Sequence, residues 1–332
     1  MSRIKPVAVY TESSDVDVRS GVALLEKAGF HVRLLDTRDS DKIVTEALDA
    51  EVLLVGYAQI TRSMIEHLPN LRLISLMSMG TDNVDLSAAR DNDVWVTNVP
   101  GVATEEVATH ALALLLYSVR QLGYYTTTSV ANAEKWNSRE VPAPLRLSEQ
   151  TLGVVGLGRI GLKFAEMAKP LFGRIVGYDP LLPDSDGVQA ILAERGIERV
   201  GLDQARQETN VLSLHVPLTV ETEHLIDAEF INEMPDGALV INVSRGSLID
   251  SEALAQAVIS GKLSGAALDV LDGEPPSDQH PLLNLERVVI TPHVAYYSER
   301  TKAEYVRIQA QNAVTLLESG KPDVPVNEDQ VG

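Results

Sequence analysis

The sequence predicts an α/β fold with doubly wound parallel sheets. Short apolar runs of strand length alternate with segments whose apolar residues recur at helical spacing, over most of the 332 residues. A glycine-rich turn joins one such strand to one such helix at 156–161. Several later strands end in polar clusters, which a parallel sheet gathers at one edge because the carboxyl ends of its strands converge there.

The residues before 100 are expected to form a first sheet. A helix is predicted over 21–28, closed by Gly29, and two more are predicted around 44–48 and 65–68, the last stopped by Pro69. No nucleotide fingerprint occurs in this stretch, so we assign it to substrate binding. The strands are predicted at 7–10, 32–35, 52–55, 73–77 and 94–97.

Residues 78–83, Ser-Met-Gly-Thr-Asp-Asn, directly follow the fourth predicted strand, at the edge where such sheets bind ligands. A turn of small residues exposes successive backbone N–H groups, which suit a carboxylate. An ordinary strand-to-helix turn capped by Asp82 or Asn83 explains the same residues equally well. The spacing alone leaves both interpretations open.

The stretch 151–180 predicts a dinucleotide site. A strand at 152–155 leads into Gly-Leu-Gly-Arg-Ile-Gly and an amphipathic helix. Gly156 permits the tight turn, Gly158 lets the backbone approach a pyrophosphate, and Gly161 lets helix and strand pack closely. The N–H groups at the helix N-terminus then face the phosphates.

The residue type after the second strand of this unit predicts which dinucleotide binds. The strand at 174–178 ends at Asp179, which is placed to accept hydrogen bonds from the adenosine ribose hydroxyls. Its charge would repel a 2′-phosphate, and neither Lys nor Arg closely follows Pro180. The sequence therefore favours NAD over NADP.

Composition excludes several classes of protein. There are 28 basic and 47 acidic residues, a net charge of −19, which argues against nucleic acid and acidic membranes as partners. No cysteine is present, so disulfides and thiolate chemistry are excluded, and no His or carboxylate cluster has metal-ligand spacing. No apolar run is long enough for a signal peptide or a membrane span, so we expect a cytoplasmic enzyme.

A helix of unusual composition is predicted after the break at 98–101. Thr104 is the candidate N-cap, and Glu105 and Glu106 complement the helix dipole. The helix is apolar nearly all round, so it must be buried in a core or a subunit interface. The polar, proline-containing residues at 123–150 are more typical of an arm.

The βα alternation resumes after the glycine turn. Strands are predicted at 211–216, 238–243, 265–270 and 288–294, and helices at 228–233, 253–259 and 300–318. The polar residues that end these strands are expected at the edge that also holds the glycine turn. They are 215–219, 242–246, Asp269 and 291–293.

The chain resembles the D-isomer-specific 2-hydroxyacid dehydrogenases over nearly its whole length. The stretch 293–299, His-Val-Ala-Tyr-Tyr-Ser-Glu, looks closest to the branch that contains the C-terminal-binding proteins. Thr109 stands where many relatives carry an acid, and Ala295 where a Gly is common. The motifs, in order, are Ser-Met-Gly-Thr-Asp-Asn-Val-Asp at 78–85, Gly-Leu-Gly-Arg-Ile-Gly at 156–161, His-Val-Pro-Leu-Thr at 215–219, Asn-Val-Ser-Arg-Gly at 242–246, Ala-Leu-Asp-Val with Gly-Glu-Pro-Pro at 267–276, and Thr-Pro-His at 291–293.

The resemblance implies two Rossmann-like domains and a homodimer. Residues 1–100 and 296–332 would form a flavodoxin-like substrate domain, interrupted by an NAD-binding domain at 101–295 whose helix and arm at 104–150 pack on the partner. It also implies reduction of a 2-keto acid to a D-2-hydroxy acid, or the reverse, with NAD. The cofactor-binding residues would be Thr104, Gly156, Gly158, Arg159, Ile160, Gly161, Asp179, Pro180, His215, Val216, Pro217, Thr222, Val243, Ser244, Asp269 and Ala295.

The resemblance further assigns Arg245 to substrate binding, His293 to acid/base catalysis, and Glu274 to partner His293. The amides of Met79 and Gly80 would hold the substrate carboxylate, and Ser78, Arg245 and His293 complete the implied substrate-binding residues. These residue types suit the chemistry, because His exchanges protons near neutrality and Arg binds a carboxylate through a planar fork. Which 2-keto acid reacts is left open.

Two sets of alternatives accompany this interpretation. An NAD(H)-sensing protein-binding module of the C-terminal-binding-protein type would carry the same catalytic set, although the acidic charge and the lack of long appended tails favour a metabolic enzyme.

Among the other histidines, His215 is expected to shape the backbone near the nicotinamide ribose or to contact it, and His110 to be a satisfied buried or interface group. His31, His67, His224 and His280 are expected at the surface.

Overall fold

The computed structural model describes residues 5–14, 16–130, 136, 143–144 and 146–327. The chain divides into two compact units, Met1–Val102 with Tyr297–Gly332, and Ala103–Tyr296. These boundaries lie within two residues of the expected ones. Most of the predicted arm, at 131–135, 137–142 and 145, lies outside the described residues.

The first unit is a parallel sheet covered by helices. Among the described residues its five strands are ordered β2-β1-β3-β4-β5, and every pairing is parallel. Strands β1, β3 and β4 are buried along their whole length, as expected where helices cover both faces. The strands are β1 (Val7–Tyr10), β2 (His31–Leu34), β3 (Val52–Val55), β4 (Leu73–Leu76) and β5 (Trp95–Thr97).

Short polar residues and glycine set the ends of its helices. The first helix ends at Gly29, whose φ of 103° suits glycine. The N-caps of the next three helices are Asp39, Thr61 and Asp85, whose side chains accept a hydrogen bond from the backbone N–H three residues on. The helices are α1 (Arg19–Ala28), α2 (Ser40–Glu46), α3 (Arg62–Glu66), α4 (Leu86–Asp91) and the last helix of the chain, α12 (Glu299–Ser319).

The C-terminal helix α12 is part of the first unit, as expected from the resemblance. It packs on α1, β3 and β4. The buried amide of Gln309 donates hydrogen bonds to the carbonyls of Val55 (3.1 Å) and Ser75 (2.8 Å), and the Ser75 hydroxyl donates to the Gln309 carbonyl (2.9 Å). A helix from the far end of the sequence therefore covers part of the first sheet.

The second unit contains a longer parallel sheet. Within the described chain its seven strands are ordered β12-β11-β10-β9-β6-β7-β8. The strand order reverses beside β6, and this reversal is the point at which doubly wound sheets bind ligands. The strands are β6 (Thr151–Val155), β7 (Arg174–Tyr178), β8 (Ile197–Arg199), β9 (Val211–Leu214), β10 (Ala238–Asn242), β11 (Leu263–Leu268) and β12 (Val288–Ile290).

The helices of the second unit lie between these strands. The apolar helix α5 packs on α7, β10 and β11. A π-helical turn, Tyr125–Ser129, follows α6, and 3₁₀ turns occur at Leu147–Glu149 and Gly246–Leu248. The helices are α5 (Thr104–Val119), α6 (Leu122–Tyr124), α7 (Arg159–Ala168), α8 (Asp186–Arg195), α9 (Leu202–Glu208), α10 (Ala228–Glu233) and α11 (Ser251–Ser260).

The predicted fold class is confirmed, but several elements differ. Helices α4, α6, α8 and α9 and strand β8 were not predicted. Thr104 is the first residue of α5 rather than its N-cap, which is Ala103 and has no capping side chain. The predicted strand at 288–294 is wrong beyond Ile290, because Thr291–Ala295 form a turn held by side-chain hydrogen bonds described below.

Candidate active site

Two glycines of the turn at 156–161 pack tightly against backbone atoms, and the third faces open space. Gly156 has φ 96°, and a Cβ there would lie 2.6 Å from the backbone of His215. A Cβ on Gly161 would lie 1.9 Å from the Gly156 carbonyl oxygen. At Gly158, by contrast, a Cβ would meet nothing within 4 Å. The turn thus leaves space at the start of α7, where Arg159 and Ile160 carry the first helical N–H groups.

Asp179 fixes this turn to the end of β7. Its Oδ2 accepts a hydrogen bond from the Leu157 N–H and its Oδ1 one from the Leu181 N–H, both at 2.9 Å. A carboxylate has about four acceptor positions, so two are left for ribose hydroxyls. Pro180, the next residue, is exposed.

His215 lies beside the glycine turn at the end of β9. Burial lowers the pKa of its imidazole to about 3, so the ring is neutral. Its Nε2 lies 2.9 Å from the Ser213 hydroxyl, and its ring is 5.0 Å from the ring of Phe164. Among the described residues, the buried Nδ1 has no hydrogen-bond partner. The backbone of His215 packs against Gly156, so this residue shapes the edge that holds the glycine turn.

Other predicted cofactor residues continue the same edge. The Thr222 hydroxyl accepts from the Thr219 N–H (2.7 Å) and donates to the Pro217 carbonyl (2.7 Å), which closes the turn after β9. The Ser244 hydroxyl donates to the Leu214 carbonyl (3.0 Å) and so joins the ends of β10 and β9. Val216 and Val243 are buried beneath these turns, and Thr104 is half-buried at the start of α5.

Arg245 is presented by a turn that Asn242 builds. The buried Asn242 side chain donates to the Arg245 carbonyl (2.8 Å) and accepts from the Ser244 N–H (3.0 Å). A Cβ on Gly246 would lie 1.9 Å from the Leu271 carbonyl carbon, so this turn contacts the segment that leads to Glu274. Asn242 was quoted in the sequence motif without a role. The sequence signal that could have identified Asn242 is a polar residue at the end of an otherwise apolar strand.

His293 and Glu274 form a hydrogen-bonded pair. Nδ1 of His293 lies 2.6 Å from Oε2 of Glu274, and each side chain is about one-third exposed. Oε1 of Glu274 accepts from the Leu271 N–H at 2.9 Å. An ionised carboxylate can only accept, so Nδ1 carries a proton and Nε2 is left for proton exchange. The pair is therefore built for acid/base chemistry.

The charge state of Glu274 follows from its neighbours. Burial raises the pKa of this carboxyl, but the hydrogen bond and charge of His293, the Leu271 N–H and the charge of Arg245 together outweigh burial. The pKa of Glu274 is therefore lower than usual, and the group is a carboxylate at neutral pH. Arg245, Glu274 and His293 thus lie in one electrostatic cluster.

Asp269 holds the turn that carries His293. Its carboxylate is 1% exposed and accepts from the Thr291 hydroxyl (2.5 Å), the Val294 N–H (3.0 Å) and the Ala295 N–H (2.8 Å). The Asp269 carbonyl accepts from the His293 N–H (2.8 Å). The structure therefore gives both Asp269 and the buried Ala295, predicted as cofactor-binding residues, a part in shaping this turn. Thr291 was missed as a contributor.

The predicted carboxylate-binding turn lies in the first unit, after β4. The Ser78 hydroxyl donates to the Gly80 carbonyl (2.7 Å), and the Asn98 side chain donates to the Met79 carbonyl (2.7 Å). Within the described residues, the N–H groups of Met79 and Gly80 donate no hydrogen bond. The amide of Asn83 donates to the Ala58 carbonyl (3.0 Å), so it ties this turn to the loop after β3. Two N–H groups are thus available to an anion.

The remaining histidines fall into two groups. His31, His67 and His224 are exposed, as predicted. The prediction for His280 is wrong, because its side chain is 6% exposed. Its Nδ1 accepts from the Leu282 N–H (3.3 Å), and its Nε2 lies 2.9 Å from Asp272 Oδ1. His110 lies 2.9 Å from the Thr291 hydroxyl and is satisfied, as predicted.

Across the described ranges, no group of three or more His, Asp or Glu residues is arranged to bind a metal ion. No described helix combines the length and the apolar character needed to cross a membrane.

Comparison with known proteins places the chain in a family. Residues 112–295 match the family model of the D-isomer specific 2-hydroxyacid dehydrogenase, NAD binding domain. A glyoxylate reductase from Korarchaeum cryptofilum is 35% identical over 300 residues, which are 89% of this chain and 85% of that protein. Among solved structures, D-lactate dehydrogenase from Aquifex aeolicus complexed with NAD and lactic acid has a TM-score of 0.83 at 29% identity, covering 94% of this chain and 95% of that one.

A second similar structure was solved with the phosphorylated cofactor. An NADPH-dependent glyoxylate/hydroxypyruvate reductase from Sinorhizobium meliloti, in complex with NADP and malonate, has a TM-score of 0.85 at 26% identity, with coverage of 99% and 98%. The family model, the relative and the structures agree with the motifs quoted from the sequence. The chain belongs to the D-isomer-specific 2-hydroxyacid dehydrogenases and is an NAD(P)-dependent oxidoreductase.

Proposed function

We propose that this protein reduces a small 2-keto acid to the D-2-hydroxy acid with NADH, or catalyses the reverse oxidation. The His293–Glu274 pair carries the proposal, because it joins a proton-exchanging imidazole to a carboxylate within the unit that holds the glycine turn. The names of similar proteins, glyoxylate reductase and glyoxylate/hydroxypyruvate reductase, support small keto acids as substrates.

The nicotinamide would supply the hydride, and the protein's residues would handle charge and protons. Imidazolium at His293 donates a proton from Nε2 to the oxygen that becomes the hydroxyl, while Glu274 holds Nδ1 and stabilises the cationic ring. In oxidation, neutral His293 takes the same proton back. Arg245 polarises the keto oxygen and binds the carboxylate. In the first unit, Ser78 shapes the turn whose Met79 and Gly80 N–H groups would bind the carboxylate.

We propose NAD rather than NADP as the cofactor. Asp179 places a negative charge at the end of β7, where the adenosine ribose would lie. The glycine turn, the neutral His215 and the edge formed by Pro217, Thr222 and Ser244 are the residues that would hold the rest of the dinucleotide.

We also propose that the protein is a homodimer that pairs through α5 and the residues after it. Leu112, Leu116 and Val119 on α5 are only half-buried within the chain, and Leu122, just beyond the helix, is 43% exposed. Apolar residues left in this state favour burial against a second copy. Light scattering on the purified protein tests this proposal, and a monomer at micromolar concentration contradicts it.

The central experiment is NADH oxidation against a panel of glyoxylate, hydroxypyruvate, pyruvate and bulkier 2-keto acids, with NADPH in parallel. Turnover of at least one acid with NADH preferred is the expected result. Tight NADH binding without turnover of any acid would contradict the proposal and favour an NAD(H)-sensing protein-binding role.

Arg245→Lys tests substrate binding by the planar fork. We expect kcat/KM to fall by roughly 10²-fold although the charge is kept, because an ammonium cannot make the paired contacts. Arg174→Lys is the matched control, since Arg174 starts β7 in the same unit and pairs with Glu198 and Glu208 instead. Equal, mild losses in both variants would argue against this role.

A further inference from the structure

His110 contacts the turn of the catalytic histidine from outside it. It lies on α5 with its side chain 23% exposed. Its Nε2 is 2.9 Å from the Thr291 hydroxyl and 3.4 Å from Asp269 Oδ1. Helix α5 thereby reaches the segment that ends in His293, although His110 has no part in the proton transfer proposed above.

The direction of these hydrogen bonds is fixed by counting protons. The Thr291 hydroxyl has one hydrogen, which it donates to Asp269 Oδ1 at 2.5 Å. The hydroxyl oxygen can then only accept from His110, so the Nε2 of His110 must carry a proton. A directed chain results, from the His110 N–H through the Thr291 O–H to the Asp269 carboxylate.

This chain of hydrogen bonds ends at Asp269, which sets the backbone conformation of His293. The Asp269 carboxylate accepts from the Val294 and Ala295 N–H groups, and its carbonyl accepts from the His293 N–H. His293 itself has φ 52°, in the left-handed region that side chains other than glycine seldom adopt. Such a conformation persists only where its surroundings impose it.

We propose that His110 is a positioning residue for His293, which it holds in place through Thr291 and Asp269. Its N–H fills the acceptor site of the Thr291 hydroxyl and keeps that hydroxyl directed at Asp269. The Asp269 carboxylate, with the Thr291 hydroxyl held on it, in turn fixes the turn that aims His293 at the substrate. The proposal rests on the acid/base role of His293 in the proposed function.

His110→Leu and His110→Gln distinguish the effect of losing the N–H donor from the effect of changing the side-chain volume. Leucine fills the space without a donor, whereas the Gln amide can donate from nearly the same position. We expect His110→Leu to lower kcat by about tenfold to a hundredfold, as small misplacements of reacting groups do, with the NADH dissociation constant unchanged. His110→Gln should restore most of the lost kcat. Thr291→Val should resemble His110→Leu, and the double variant should lose little more than either alone.

Hydrogen–deuterium exchange provides a measurement that needs no turnover. His110→Leu should speed amide exchange in peptides that contain 293–295, and His110→Gln should leave it near the wild-type rate. His224→Leu is the control, because His224 is exposed in the same unit and also has a positive φ, 51°. If no keto acid is turned over but exchange changes as expected, the proposed function fails while the positioning by His110 stands.

Two results would overturn the proposal. Equal losses of kcat in His110→Leu and His110→Gln would show that packing, not the N–H group, is what matters. Unchanged exchange and unchanged kcat in His110→Leu would show that the turn holds itself without α5.

Discussion

Two turns at the carboxyl edge of the second sheet are built in opposite ways. The turn at 156–161 relies on missing side chains, since a Cβ on Gly156 or Gly161 would collide with backbone atoms. The turn at 291–295 relies on one buried side chain, because the Asp269 carboxylate accepts two of its N–H groups and the Thr291 hydroxyl. The first turn leaves space for a ligand, whereas the second aims a side chain.

The difference shows how one sheet edge serves two tasks. A phosphate-binding turn needs the N–H groups at the start of its helix unused, so hydrogen bonds hold only its beginning, where the Gly156 and Leu157 N–H groups donate, and close packing holds the rest. A turn that presents a catalytic side chain can consume its N–H groups internally, because the imidazole makes the contact. Substitutions should therefore affect the two turns differently.

The largest effect is expected at the second turn. His293→Ala should lower kcat by at least 10²-fold, because the proton donor is lost, while NADH binding stays nearly intact. The measurements are steady-state turnover and NADH titration. His224→Ala is the control, since its backbone has a similarly positive φ and its side chain is exposed. More than about a tenth of wild-type kcat in His293→Ala would defeat the acid role.

The next effect separates packing from ligand access within the glycine turn. Gly161→Ala places a Cβ 1.9 Å from the Gly156 carbonyl oxygen, so both Tm and NADH affinity should fall, with a stability loss of about 1–3 kcal/mol. Gly158→Ala meets only open space, so Tm should hold while NADH affinity falls. Thermal unfolding and fluorescence titration distinguish them. If Gly158→Ala binds NADH as tightly as wild type, the pyrophosphate does not approach there.

A smaller effect is expected at Asp179. Asp179→Ala should reduce the ratio of kcat/KM with NADH to that with NADPH by roughly tenfold, about the 1.4 kcal/mol of one charge-assisted contact. Because the variant also loses the Leu157 and Leu181 hydrogen bonds, Asp179→Asn is the companion that can retain part of them. An unchanged ratio in both variants would contradict the proposed cofactor preference.

The smallest effect concerns pH-dependent stability. The pKa of Glu274 is lower in the folded protein, so the ionised group stabilises the fold above its unfolded pKa, about 4.3, and this stability is lost as pH falls through the folded value. Glu274→Gln should therefore unfold at a lower urea concentration than the wild type at pH 7. This gap between the two unfolding midpoints should narrow below about pH 4. Glu286→Gln, at an exposed position, is the control. A gap independent of pH would mean that the charge contributes nothing.

The sequence predicted the glycine turn better than the His293 turn, for a physical reason. Glycines are visible in sequence and their spacing has few other uses, whereas the anchoring of 291–295 depends on Asp269, which is distant in sequence. Pro292 was the available signal, since proline is disfavoured inside a strand, but the apolar residues on either side of it, Val288–Ile290 and Val294, suggested one longer strand.

The sequence failed to predict helices α4 and α8 and the burial of His280 for a similar reason. Helix α8 buries only Leu192, so its apolar spacing is weak, and α4 is short and buries only Ala88 and Ala89. His280 is buried because Asp272 and the Leu282 N–H satisfy its ring, partners that no local pattern reveals. Parallel strands such as β1 and β3 were predicted at their exact residues because continuous apolar runs identify them.

The discontinuous first unit has a consequence for synthesis on the ribosome. Strands β1 to β5 emerge early, yet the apolar surface formed by Ala8, Tyr10 and Leu73 is covered in part by Val306 and Ala310 of α12. The second unit is continuous, so all of its strands leave the ribosome before α12 does. The nascent chain therefore carries an exposed apolar face until α12 emerges and packs on it, and nascent-chain chaperones should engage the first unit for longer than the second.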